Sequence, residues 1–102
     1  MKKIINGRLY NTDTAEEIIT ITTDGYSMSD FHWKEETLYR KKTGEFFRYG
    51  HGGPATEYAE RIGDSWTGGK NIIPMTIDEA KYYVETNCDT DTYTSLFGEV
   101  DE

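Results

Sequence analysis

Two strand-like runs, FHWKEETLYRK at residues 31–41 and EFFRYG at 45–50, flank Lys42-Thr43-Gly44 near the middle of the chain. A three-residue connection with glycine at the left-handed position is a common hairpin form. The pair therefore predicts a long central hairpin with its basic turn in water. Under period-two alternation Phe31, Trp33, Thr37 and Tyr39 share one face, and His32, Lys34, Leu38 and Arg40 share the other. Both faces carry large side chains, so both are expected to be partly covered. That requirement leaves an α+β arrangement: an antiparallel sheet of four to six short strands built on this hairpin, with helix packed on one side.

The flanking segments supply the other elements. Asn6-Gly7 between Ile4-Ile5 and Leu9-Tyr10 predicts a short hairpin, because both turn positions tolerate positive φ. Thr12, Asp13 or Thr14 is placed to cap a helical turn with Glu16 and Glu17 near its positive end. The β-branched run at 18–23 predicts a strand that ends at Asp24-Gly25. The HGGP at 51–54 is expected to break the sheet, and Tyr58, Ala59 and Ile62 at helical spacing predict one or two helical turns over 55–62. Residues 63–70 read as a loop docking through Trp66, and 71–75 as a short edge strand, since Pro74 cannot donate to a ladder. Thr76-Ile77-Asp78-Glu79 is a capping box, and Ile77, Ala80, Val84 and Cys88 form an apolar stripe. One C-terminal helix over 77–87 follows, with a further helical turn at 91–97 burying Tyr93, Leu96 and Phe97 before Gly98. The 102 residues are expected to form a single domain with an acidic tail at 99–102.

Charge is distributed unevenly. Residues 77–102 hold eight carboxylates against the single cation Lys81, which accounts for seven of the formal net charge of −8. The rest of the chain is close to neutral. A body without net charge and one acidic end steer a protein toward basic surfaces. Asp78, Glu85, Asp89, Asp91, Glu99, Asp101 and Glu102 are the candidate partner-binding residues. Glu79 is reserved for its own helix, and Asp78 also favours that helix's positive end.

Catalytic and ligand motifs fit poorly. His51-Gly52-Gly53 and Gly68-Gly69-Lys70 lack the spacing of phosphate-binding loops. Cys88 lies at a helix end among carboxylates, which blunts a thiolate. Two histidines and one cysteine show no zinc spacing, and Asp89 and Asp91 lack the remaining ligands of a calcium loop, so no metal or cofactor is expected. Arg40, Lys41, Lys42 and Arg48, interleaved with Tyr39, Phe46, Phe47 and Tyr49, suit single-stranded nucleic acid, although hairpin aromatics are more often core. With one cysteine no intrachain disulfide can form, and no apolar run has the length of a signal peptide or membrane span. These features predict a soluble, cytoplasmic, non-enzymatic protein.

The strings KIINGRLYNTDTAEEI, ETLYRKKTGEFFRYGHGGPATEYAE, IIPMTIDEAKYYVE and YTSLFGEVDE together span nearly the full length. They resemble small proteins from phages and mobile elements of Firmicutes, some of which are anti-CRISPR proteins against the type II-A system. His51 stands where that pattern has an acidic residue in a GEGG-like loop. The resemblance implies an inhibitor that binds a CRISPR-associated nuclease or its guide-RNA complex, and it assigns no site residues. Two other readings remain beside it. One is an enzyme acting on guide RNA, or a guide-RNA-binding protein, with His51 or His32 as acid or base in the enzyme. The other is a mobile-element interaction module, able to form a homodimer through an exposed hairpin edge.

Overall fold

In a computed structural model, residues 1–23 and 30–102 are described. Strands β1 (Lys2–Ile5) and β2 (Arg8–Asn11) pair antiparallel with Ile4 opposite Leu9. Asn6 and Gly7 turn between them with φ of 52° and 78°, as the Asn-Gly signal predicts. No helical turn leads into Glu16 and Glu17. The Asn11 side chain instead accepts the Asp13 N–H (3.0 Å), and its carbonyl accepts from Thr14 and Ala15. An Asx turn of this kind closes within a few residues. The two glutamates open β3 (Glu16–Thr22), where Glu16 meets Arg40 across the strand pair at 2.7 Å. The expected strand end at Asp24-Gly25 lies outside the described residues.

Strands β4 (Lys34–Arg40) and β5 (Phe46–Gly52) pair over seven positions, from Lys34 opposite Gly52 to Arg40 opposite Phe46. Lys41 N–H donates to the Glu45 carbonyl (2.8 Å) and Gly44 takes φ of 95°, which closes the turn. The first strand begins later than the aromatic pattern suggests. Asp30 accepts the His32 N–H through its side chain and the Trp33 N–H through its carbonyl, so this segment turns and Phe31 is 65% exposed. The second strand runs on through His51 and Gly52, so the sheet ends at Gly53.

Residues 53–59 form separate turns where helix was expected, with Thr56 N–H donating to Gly53 and Ala59 N–H to Thr56. Tyr58 packs over Gly50 so tightly that a Cβ at Gly50 would lie 2.5 Å from the ring. Glycine at 50 is thus required by close approach. The expected loop through Trp66 is a hairpin: β6 (Glu60–Ile62) and β7 (Ser65–Thr67) form their own two-stranded sheet around Gly63 (φ 59°). Trp66 does not dock. It sits opposite Arg61 and is 58% exposed. Strand β8 (Gly69–Met75) is an edge strand as expected, but it starts earlier and pairs with β5 from Gly69 opposite Gly52 to Met75 opposite Phe46.

The capping box forms: Thr76 Oγ1 accepts the Glu79 N–H (3.1 Å), and Glu79 Oε1 accepts the Thr76 N–H (2.9 Å). Helix α1 (Ile77–Asn87) buries Ala80 and Val84 completely. Ile77, counted in the apolar stripe, is 52% exposed because it stands at the first helical position, ahead of the packed turns. The segment after it is a second helix, α2 (Thr90–Phe97), with Asp89 as N-cap and Gly98 (φ 88°) as its end. Two helices therefore stand where one helix and a single turn were expected. Short helices form when packing supplements weak local propensity, and α2 rests Tyr93, Leu96 and Phe97 on the core.

The main sheet has the order β3-β4-β5-β8, all antiparallel. Directly opposed residues share a face. On one face Leu38 and Phe46 lie under Ala80, Val84 and α2, with Ile18 and Ile19 both brought in by a register shift in β3. On the other, Phe47 and Ile72 are covered by Tyr10 of β2, with Tyr39 stacked on Phe47 at 5.1 Å. No helix among the described residues is long and apolar enough to cross a membrane.

Candidate functional site

The turn from α1 into α2 brings part of the acidic set together. Glu85 on the last turns of α1, Asp89 and Asp91 at the start of α2, and Glu99 beyond Gly98 line one concave surface of about 490 Å³. Cys88, Tyr93 and Val100 contribute its less polar portions. Asp78 lies apart, at the first turn of α1, on a different groove of about 550 Å³ with Arg48, Met75 and Tyr82. Asp101 and Glu102 are exposed in a tail outside helix and strand.

Among the described residues, none of the eight carboxylates of 77–102 forms an ion pair. Every ion pair there joins groups between Arg8 and Glu57. Lys81, three residues after Asp78 and four before Glu85, has its ammonium over the Phe97 ring at 5.9 Å. Among the described residues the acidic field is therefore not compensated by ion pairing. Two of its members also hold structure. Asp89 accepts the Thr92 N–H at 2.8 Å, and the hydrogen bonds from Thr92 hold its carboxyl below the usual range. Glu79 is lowered in the same way, by the Thr76 N–H first and then the Thr76 hydroxyl. Burial, and then Asp89, push the Cys88 thiol up, away from thiolate chemistry.

The basic aromatic hairpin is arranged differently. Arg40 reaches Glu16, Lys41 stands 3.6 Å over the Tyr10 ring, and Arg48 Nε lies 3.5 Å from Glu36. Phe46 and Phe47 are buried, so their rings serve the two cores and offer no stacking surface; Lys42 remains exposed at the turn. His51 Nε2 is 3.6 Å from Glu35 Oε1, with its ring 5.2 Å from Trp33, while His32 Nδ1 is 3.4 Å from Asp30. Among the described residues no group of three or more His, Cys, Asp or Glu side chains is placed to hold a metal ion.

No protein-family model, no curated protein and no solved structure matches the chain.

One polar cluster escaped the sequence reading. Glu36 is buried at 7% exposure between the two covers of the helical face. The Tyr58 hydroxyl donates to its Oε2 (2.6 Å), and the Tyr83 hydroxyl to its Oε1 (3.0 Å). Burial first, and then Glu36, raise both tyrosines well above the ordinary phenol range, so both remain donors. The cluster ties the 53–59 segment and α1 to the same strand position. Its partners are 22 and 47 residues away in sequence, and no local pattern marks them. Tyr82 was also missed: it is 68% exposed on the outer side of α1, next to the inward Tyr83.

Proposed function

We propose that the protein is a non-enzymatic inhibitor of the anti-CRISPR kind, which docks its acidic C-terminal quarter on a cationic nucleic-acid channel of a CRISPR-associated nuclease. Occupation of that channel blocks engagement of guide RNA or DNA. The observation that carries the reading is that, among the described residues, the carboxylates of 77–102 make no ion pair, beside a body whose ion pairs are made internally. Uncompensated carboxylates on a folded scaffold offer a basic channel the charge that phosphates otherwise supply. Glu85, Asp91 and Glu99 are the contacts best suited to this role, because they share one surface and cap no helix. Asp78 adds a separate contact, Asp89 adds charge while capping α2, and Asp101 and Glu102 add longer-range attraction.

The test is a pulldown with the nuclease, with and without its guide, at low and high ionic strength. Binding should fall as salt rises, and guide loaded beforehand should compete. Affinity that stays flat with salt would end the mimicry reading. Incubation of the pure protein with guide RNA separates it from the enzyme reading, because shortened RNA would point to catalysis.

A further inference from the structure

We propose that Tyr82, between Asp78 and Glu85 on the outer side of α1, seats an arginine side chain of a basic partner; this rests on the docking reading above and names the group recognised. Residues three and four apart on a helix are surface neighbours. Asp78 is one turn before Tyr82 and Glu85 one turn after, at about 6 and 4.5 Å along the axis. All three are exposed. Tyr82 is the most exposed of the large aromatic side chains among the described residues, and its hydroxyl makes no hydrogen bond there.

The cations nearby are engaged elsewhere. Lys81 is directed over Phe97 at 5.9 Å, and Arg48, across the groove that Tyr82 and Asp78 line, is compensated by Glu36 at 3.5 Å. An aromatic face with a carboxylate on either side is complementary to a planar guanidinium. The guanidinium can stack on the ring while its N–H groups reach outward to the carboxylates. A lysine ammonium is a compact, strongly hydrated charge and cannot make both contacts in one plane. The ring therefore adds an arginine preference, at equal charge, to the one that carboxylates alone give through bidentate pairing.

The experiment compares nona-arginine and nona-lysine peptides binding to the full chain, by calorimetry at two salt concentrations. The arginine peptide should bind about three-fold more tightly or better. Tyr82→Phe should keep that preference, while Tyr82→Ala should reduce it with both peptides still bound and helix content unchanged by circular dichroism. Equal affinity for the two peptides, or a preference undiminished by Tyr82→Ala, overturns the arginine seat alone. Binding of neither peptide overturns it together with the docking reading.

Discussion

Residues 8–57 and residues 77–102 treat charge in opposite ways. In the first region strand register and turns set cations beside carboxylates: Arg40 with Glu16 across a strand pair, Arg8 and Lys41 with Glu45 at the hairpin turn, Lys34 with Glu57 of the 53–59 segment. In the second, helix spacing offers Lys81 both Asp78 and Glu85, yet its ammonium lies over Phe97 and neither pair forms. The paired charges of the first region thus tie its strands and turns together, while the C-terminal carboxylates, beyond the caps made by Glu79 and Asp89, form no ion pair among the described residues. Exposed pairs contribute little to stability, a median of roughly 0–1 kcal/mol. Leaving these carboxylates unpaired therefore costs the fold little.

The largest expected effect tests the body's side of that contrast. Glu36→Ala leaves the hydroxyls of Tyr58 and Tyr83 without their shared acceptor and the Arg48 guanidinium without its ion-pair partner. Urea denaturation should show a loss of about 3–5 kcal/mol; a loss below about 1 kcal/mol would remove the cluster as a tie between α1 and the 53–59 segment.

The acidic side should behave in reverse. Glu85→Lys, Asp91→Lys and Glu99→Lys combined should weaken nuclease binding at least ten-fold, about 1.4 kcal/mol, with the melting temperature unchanged or raised. A triple variant that binds normally would detach the concave surface from function, and one that unfolds would show its charges to be structural after all.

A smaller loss of about 1 kcal/mol is expected from Thr76→Ala, which removes the side-chain half of the capping box. Calorimetric unfolding measures it directly.

The smallest effect is on pH. Asp89 and Glu79 have depressed carboxyl values in the fold, so their contribution is present above their unfolded values, about pH 4, and is lost as pH falls through the depressed ones. Helical ellipticity should decline on acidification. Asp89→Asn still caps but does not titrate, so it should flatten that decline; an unchanged acid limb would dissociate Asp89 from it.

How far the molecule could be read from its sequence depended on the range of the interactions concerned. The Asn6-Gly7 turn, the Lys42–Gly44 connection and the Thr76–Glu79 box appear as expected because each is settled within a few residues. The expected helix over 55–62 failed because Tyr58 is held by Gly50 and Glu36, and the residues after it pair as a hairpin. Likewise α2 exceeds a single turn because Phe97 packs on Phe46 at 5.4 Å. Of the candidate site, the sequence identified the carboxylates but not their grouping. It treated Asp89 as free charge, where the structure shows a cap, and it passed over Tyr82.

Residue identity alone sets the charge imbalance, the turn chemistry and the alternating pattern of the central strands. These follow from residue identity and from steric preferences that act over short spans. Which charges are compensated is settled by the folded arrangement. Pairing requires side chains to be brought within a few ångströms by strand register and helix docking, and that depends on how the whole chain buries its apolar faces.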